Sequence, residues 1–581
     1  MRQIWVTALL LTLSWSTYSQ ERTPAQEQPS GKSSKPTVNK SQAITKKDPN
    51  SQALDLLQSV ESDVGRFSPE MRAKLLLQIG KAYAGIDRGR AATALREAFE
   101  ATFGITDVEH KLERSNLQSE IVRQLGDVQP EAIYALRNSA DPRARAFIES
   151  RLVQAAMDKG QVRKAALMLG QWDTNLQFPY SIGSPVIHDL PAEDSVDRQA
   201  IFSSAITCYE RDEQSMPDRI AEFIDATYAK LPPAMVVDGM ERALAHVGKL
   251  NFNTYRVTVS GPKGVASFTS MYDYLLFQLL PIFDQLDPAK ADALRRDHDL
   301  VLQLNSRYPK GVQSLQFHDT TPSRSDLTMV YSDPEVADQL AQKARAQQTQ
   351  TQQVDTIATE SVEDFQRAMN VASLLPNSNP EGLIRQDGTP RCEAYNAIAQ
   401  RMLGRKDFQK AAEATKAMVS AAADLKADLR AQYLLSAILI SGGMKDLTSA
   451  KQYIASGMKA ADDLYQQDAF GDCPNAASKI DWPSTAVWRG LAVPSALISP
   501  GEALQLTRSL PDPEIEAAVQ VAVASVLLGR HPSYNGAVWK CKDRSESRSF
   551  DVPWWETPKT PPSAAPNLEK SERQHQPTDE R

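Results

Sequence analysis

The chain has 581 residues, of which 41% are hydrophobic and 24% are charged, so it can bury a sizeable apolar core. Its formal net charge is -7 at pH 7 and its pI is about 5.7. An acidic chain of mixed charge lacks the basic surface that attracts phosphates, which excludes nucleic acid as an expected partner.

Residues 1–19 have the three parts of a secretory signal peptide. Arg2 supplies the positive charge, an apolar run follows, and Thr17 and Ser19 precede a cleavage site before Gln20. The run is too short to cross ~30 Å of hydrocarbon, and no later run reaches the roughly 18 apolar residues of a transmembrane helix. We therefore expect an exported protein, periplasmic or extracellular, with no membrane span after cleavage.

Two segments have the composition of disordered chain. Residues 20–50 are rich in Pro, Lys, Ser and Gln, and residues 551–581 contain six prolines. Neither segment can bury enough apolar surface to offset the entropy of ordering it. The sequence therefore predicts a disordered leader and a disordered tail.

The first strong helical pattern begins after Ser68, which reads as a helix N-cap followed by Pro69. The pattern contains large and small residues at fixed spacing: Leu76, Ile79, Gly80, Tyr83 and Ala92. These residues resemble the consensus of the tetratricopeptide repeat, an antiparallel helix pair of about 34 residues. Small side chains suit the crossing of two helices whose axes approach to roughly 8–10 Å.

The pattern recurs along the chain, most clearly between Tyr395 and Ala461. The alanines that align with Ala92 are Ala132, Ala165, Ala411 and Ala450. The resemblance implies an all-α chain folded as an α-solenoid of antiparallel helix pairs. We expect an N-terminal helical-repeat half at 51–305 and a C-terminal half at 362–550.

Three segments interrupt the helical pattern. Residues 172–194 contain three prolines and predict a packed loop with at most one short helix. Between 254 and 269 apolar and polar residues alternate around a Gly-Pro-Lys-Gly turn, which predicts a small β-hairpin or an extended loop. Residues 306–361 begin with a stretch rich in Pro, Ser, Thr and Asp and include a Gln-rich run, so they predict an irregular connector between the halves.

The chain has four cysteines: Cys208, Cys392, Cys473 and Cys541. No Cys-x-x-Cys pair is present, so neither a zinc knuckle nor a thioredoxin-like motif is indicated. Cys473 and Cys541 have loop-like neighbours and form the candidate disulfide of an exported chain. The alternative is four separate thiols.

The sequence carries no recognisable catalytic constellation. It lacks the phosphate-binding loop, the Gly-x-Ser-x-Gly nucleophile elbow and the His-Glu-x-x-His metal motif. Asp297-His298-Asp299 is the tightest acid–imidazole cluster, but neighbouring side chains on a helix diverge by about 100° and favour a solvated face. We therefore predict no catalytic, cofactor-binding or metal-binding residues.

The aromatic residues form two groups in the sequence. Tyr272, Tyr274 and Phe277 form the first, and the second contains five tryptophans: Trp482, Trp488, Trp539, Trp554 and Trp555. Such groups can line a groove for a partner, because buried aromatics dominate interface energetics. Packing of the core and of the terminal repeats is the favoured interpretation.

Three functional hypotheses follow from these features. The leading one is an exported, non-catalytic scaffold that binds a protein or peptide partner without a cofactor. The second is a cell-envelope hydrolase or glycan-processing protein with a site in the insertions at 172–194 or 254–269. The third is a purely structural spacer.

Overall fold

The computed structural model describes residues 48–106, 111–213, 216–261, 263–315, 328–332, 352–378, 389–469, 478–510, 512–530, 537–541 and 544–548. The signal peptide, nearly all of the predicted leader, most of the Gln-rich run and the predicted tail lie outside these residues. The described chain is mostly helical, in agreement with the predicted all-α class. It divides into two compact units. Unit 1 contains the described residues of 64–332, and unit 2 contains residues 49–63 and the described residues from 352 onward.

The helices of the described residues are, in chain order, α1 (Pro49–Asp63), α2 (Pro69–Tyr83), α3 (Arg88–Ala101), α4 (Lys111–Val128), α5 (Ala132–Ala135), α6 (Pro142–Asp158), α7 (Val162–Gly170), α8 (Tyr180–Asp189), α9 (Ser195–Arg211), α10 (Pro217–Thr227), α11 (Pro233–Val247), α12 (Met271–Leu286), α13 (Pro288–Asp297), α14 (Asp299–Arg307), α15 (352–360), α16 (Phe365–Leu374), α17 (Pro390–Gly404), α18 (Phe408–Ala422), α19 (Ala427–Met444), α20 (Leu447–Gln467), α21 (Pro483–Ile498), α22 (Pro500–Arg508) and α23 (Pro513–Leu527). Among the described residues no helix is both long and apolar enough to cross a membrane.

Unit 1 also contains a three-stranded antiparallel sheet. The strands are β1 (Arg256–Gly261), β2 (Gly264–Phe268) and β3 (Thr328–Ser332), and β1 lies between the other two. The hairpin predicted at 254–269 is thus present. β3 comes from the segment predicted to be irregular, and it pairs with the edge of β1 that the hairpin alone would leave open.

The first helix pair of unit 1 has the close approach that its small residues predict. A Cβ added to Gly80 in α2 would lie 2.6 Å from Cγ of Leu95 in α3, so any other residue would have to displace Leu95. The repeat alignment on Ala132 was less successful, because the helix there, α5, has four residues and leaves Ala132 half-buried.

Unit 2 contains four consecutive helix pairs: α15–α16, α17–α18, α19–α20 and α21–α22. Each second helix begins after a side chain that caps it, and the residue four positions later is a fully buried alanine. The caps are Asp364, Asp407, Asp446 and Ser499, and the alanines are Ala368, Ala411, Ala450 and Ala503. Asp87 and Ala91 repeat this relationship in α3 of unit 1.

The helices of unit 2 pack mainly on their neighbours in chain order. α19 contacts α18 and α20, and it also contacts α17 and α21, the first helices of the adjacent pairs. The last helix, α23, packs against α21 and α22.

Helix α1 packs along α23, although about 450 residues separate them in the sequence. Its Ala53, Leu57 and Val60 are buried, and α23 is buried on nearly every face as a result. The sequence interpretation had placed residues from 51 onward in the N-terminal half. The packing instead makes α1 the cover of α23, the last helix of unit 2.

A second, two-stranded sheet follows α23. It consists of β4 (Ala537–Cys541) and β5 (Arg544–Arg548), which pair antiparallel. The sequence interpretation had assigned this segment to the helical-repeat half.

Candidate interaction surface

The first helices of three consecutive pairs, α17, α19 and α21, lie side by side in unit 2. Helix α19 contacts its own partner α20 and the preceding α18, and it has α17 and α21 on either side. These contacts bury it except for one stripe that includes Gln432, Ser436 and Leu439. The spacing of four and three residues places these side chains on one face of the helix.

The two neighbouring helices, α17 and α21, also carry side chains that are not buried. We define the first-helix face by six residues that are not buried: Asn396, Gln400, Gln432, Ser436, Leu439 and Ala486. None of the six is charged. Gln400 Nε2 donates to Asn396 Oδ1 at 3.3 Å, so these two amides are already oriented along α17.

A buried hydrogen-bond network fixes α17 against α19 beneath this face. The hydroxyl of Tyr433 accepts a hydrogen bond from the backbone N–H of Thr389 at 2.9 Å and donates to Glu393 Oε1 at 2.9 Å. Burial raises the pKa of Tyr433 far above its ordinary value, so the hydroxyl remains a donor at physiological pH. The network holds the N-terminus of the first helix of one pair on the first helix of the next.

Chemically, the six residues offer amide and hydroxyl groups, and Glu393 of α17 and Arg489 of α21, which are also not buried, add charge to the same helices. Each Asn or Gln side chain provides both donors and an acceptor. Such groups match the alternating N–H and C=O groups of an extended peptide backbone.

The histidine of Asp297-His298-Asp299 has a different environment from the one predicted. The helical pattern breaks there, and His298 lies between α13 and α14. Its Nδ1 lies 3.1 Å from Oδ1 of Asp273, whose other oxygen accepts a hydrogen bond from Thr269 Oγ1 at 2.9 Å. The sequence interpretation missed Asp273 because it lies 25 residues away, on a helix whose packing against α13 and α14 the sequence does not encode locally.

Aromatic residues of the two predicted groups serve mainly as packing. Tyr274 and Phe277 are fully buried, whereas Tyr272 is half-buried and stacks on His298 with ring centroids 5.1 Å apart. Trp482 and Trp488 are buried against Tyr465. Trp539 lies in β4, and Trp554 and Trp555 lie outside the described residues.

The two insertions differ in what they place at the surface. Residues 172–194 contain α8 and a buried aromatic cluster in which Phe178 contacts Trp172, Tyr180 and Phe223. The insertion at 254–269 ends beside the Asp273–His298 pair. Within the part of the chain that the structure describes, neither insertion belongs to a group of three or more side chains placed to hold a metal ion.

Two cysteines are buried free thiols. Cys208 lies in α9 and Cys392 in α17, and burial raises the pKa of each thiol to about 11. Cys541 lies in β4 rather than in a loop, and Cys473 lies outside the described residues. The Cys473–Cys541 disulfide therefore stays a prediction.

Comparison with known proteins adds no relative. No protein-family model matches the chain, and no curated protein is similar to it. The resemblance to tetratricopeptide repeats therefore rests on residue positions and helix packing.

Proposed function

We propose that this protein is an exported, non-catalytic scaffold whose stacked helix pairs form an α-solenoid and bind an extended segment of a protein or peptide partner. The observation that carries the proposal is the set of amide and hydroxyl side chains of the first-helix face. The recurrent pairing of helices in unit 2 supports the solenoid arrangement, and the N-terminal sequence supports export.

The proposed mechanism is non-covalent. An extended segment would lie across α17, α19 and α21, and its backbone would exchange hydrogen bonds with Asn396, Gln400 and Gln432. Each such bond contributes only about 0.5–1.5 kcal/mol net, so several must form together. Because similar helices follow one another along one direction, a single partner segment could form several such hydrogen bonds at once.

Site-specific photo-crosslinking tests the proposal. A photoreactive phenylalanine analogue replaces Ser436 on the first-helix face, and a matched variant carries it at Ser456, an exposed serine of α20. Illumination of cells that export the protein should give a partner adduct with the Ser436 variant and not with the Ser456 variant. Equal adducts at both positions would contradict binding on this face, and no adduct at either would favour the spacer.

Export has its own test. Sequencing of the mature N-terminus should find Gln20 as the first residue, and the protein should be recovered from envelope or medium fractions. Retention of Met1 in the recovered protein would contradict cleavage.

The Asp273–His298 pair favours one alternative, a hydrolase or glycan-processing protein with a site beside the 254–269 insertion. A carboxylate that fixes one ring nitrogen leaves the other nitrogen available as a base. His298→Ala and Asp273→Asn should then abolish the release of soluble fragments from purified cell-envelope polymer. If the wild-type protein releases none, this alternative fails while the scaffold proposal remains.

A further inference from the structure

The turns between the two helices of consecutive pairs carry a second exposed surface in unit 2. We define the turn edge by five residues: Arg405, Lys406, Phe408, Lys445 and Leu447. Leu403 and Gly443 bring the two turns together, because a Cβ on Gly443 would lie 3.0 Å from Leu403 Cδ2. Phe408 and Leu447 follow the caps of α18 and α20 and are 45% and 43% exposed.

Both turns hold a lysine in a left-handed backbone conformation. The φ angle is 63° at Lys406 and 62° at Lys445. In each turn the next residue donates its backbone N–H to the carbonyl five residues earlier: Asp407 to Met402 at 3.0 Å, and Asp446 to Ser441 at 2.9 Å. This is the hydrogen bond of a Schellman helix ending, where glycine is the favoured residue.

The same turn occurs with glycine elsewhere in the chain. Gly160 has a φ of 68° and Gly529 a φ of 69°, and each is followed by the same type of backbone hydrogen bond. A side chain other than glycine is strained in this conformation. The two lysines of the turn edge therefore occupy positions where local backbone energetics favour glycine, which implies that their charge contributes something that the fold does not require.

Basic residues outnumber acidic ones within the two turns, whereas the preceding turn, before α16, carries the exposed Glu363 and Asp364, and Lys451 pairs with Glu502. Residues 401–410 and 445–451 contain six basic and two acidic residues. The two acidic side chains, Asp407 and Asp446, accept hydrogen bonds from backbone N–H groups of the helices they cap. Among the described residues, the side chains of Arg405, Lys406 and Lys445 have no ion-pair partner.

We propose that the turn edge binds the surface of a membrane that contains anionic phospholipids. Arg405, Lys406 and Lys445 would contact lipid phosphates, and Phe408 and Leu447 would enter the boundary between headgroups and acyl chains. Cations beside exposed apolar side chains are the combination that holds peripheral proteins at such surfaces.

The arrangement suits a membrane better than an acidic protein. A stable protein interface buries about 800 Å² on each partner around a packed apolar centre. The turn edge instead presents two exposed apolar side chains, one on each turn, together with the long cationic side chains of the same turns. A lipid surface accepts such side chains one at a time, because it needs no complementary pocket.

Vesicle flotation with the full mature protein tests this inference. Phosphatidylglycerol–phosphatidylcholine vesicles should float the protein, and pure phosphatidylcholine vesicles should not. The double variant Lys406→Gly with Lys445→Gly removes two charges and relieves the strained backbone, so it should remain folded. Each cation near an anionic surface strengthens binding about fivefold, so the loss of two should weaken the binding of this variant to the vesicles about 25-fold.

The control variant removes two charges from exposed lysines of unit 1, Lys159→Gln with Lys249→Gln, and should bind within about twofold of the wild type. Phe408→Ser with Leu447→Ser should weaken binding to anionic vesicles as well. Unchanged binding by the Lys406–Lys445 variant, or equal weakening by the control, would overturn the proposal. Tighter binding of the turn edge to a poly-glutamate peptide than to vesicles would instead assign it to an acidic protein.

Discussion

Gly457 of α20 lies so close to Leu491 of α21 that an added Cβ would be 2.6 Å from Leu491 Cδ2. The contact joins the second helix of one pair to the first helix of the next. It has the same form as the contact of Gly80 with Leu95 within the first pair of unit 1. Glycine facing leucine is thus used both inside a helix pair and between pairs.

Gly457→Ala should therefore destabilise unit 2. The new methyl group would displace a fully buried leucine, and overpacking of this kind costs typically about 1–3 kcal/mol. The higher helix propensity of alanine offsets about 1 kcal/mol of this cost. We expect the free energy of unfolding, measured by urea denaturation, to fall by roughly 1 kcal/mol.

Gly501→Ala is the matched control, because no atom lies within 4 Å of a Cβ at that position of α22. It should leave stability unchanged or raise it slightly. If both substitutions had the same effect, the contact between Gly457 and Leu491 would not be a determinant of the packing of α20 on α21.

At Lys406 and Lys445 the backbone conformation predicts that substitution by glycine stabilises the protein. A left-handed conformation costs a residue other than glycine about 1–2 kcal/mol. Glycine also gives the unfolded chain more conformational entropy, which offsets roughly 0.5–1 kcal/mol of this gain. Each lysine-to-glycine substitution should therefore raise the free energy of unfolding by about 0.5–1 kcal/mol, seen as a higher Tm.

The reverse substitution provides the control. Gly160→Ala places a side chain at a φ of 68° where no neighbouring atom lies within 4 Å, so the only penalty is conformational. It should lower the Tm of unit 1. A stabilising effect of Gly160→Ala would contradict the assignment of strain to these turns.

The sequence predicted the features that depend on local periodicity. The helix pairs at 69–101 and 390–467 and the hairpin at 254–269 could be read from the spacing of apolar residues. The sequence also contains the spacing of four residues between a helix cap and a buried alanine, as at Asp407 and Ala411. The repeat alignment depends on the alanine alone.

Features that depend on distant contacts could not be predicted in the same way. The packing of α1 on α23 joins segments about 450 residues apart, and no local pattern in residues 49–63 names that partner. β3 lies among polar residues and becomes a strand because β1 offers an open edge. The pairing of His298 with Asp273 likewise depends on the packing of α12 against α13 and α14 and on the helix break at His298.

Removing the hydroxyl of Tyr433 tests the packing of α17 on α19. Tyr433→Phe would leave the buried N–H of Thr389 without its acceptor, at a cost of about 1–3 kcal/mol. We expect a lower Tm and faster hydrogen exchange of the Thr389 amide. Tyr395→Phe, in α17, removes a buried hydroxyl that makes no hydrogen bond to Thr389 and should have a smaller effect. Equal losses from the two variants would contradict the role of the network.

The buried thiols predict how stability and reactivity depend on pH. Burial raises the pKa of Cys208 and Cys392 to about 11 in the folded state, from an unfolded value of 9.0. The unfolded chain therefore loses its thiol protons first as pH rises. The stabilisation that these thiols provide is fully present below pH 9.0 and is lost as pH rises through about 11.

The same thiols should react slowly in the folded protein. A variant with Cys473→Ser and Cys541→Ser leaves only Cys208 and Cys392 to be labelled by a disulfide reagent. At pH 8 we expect labelling to be at least about 100-fold slower in the folded protein than in urea, because folding lowers both the thiolate fraction and the access of the reagent. Rapid labelling of the folded protein at pH 8 would show that these cysteines are not buried.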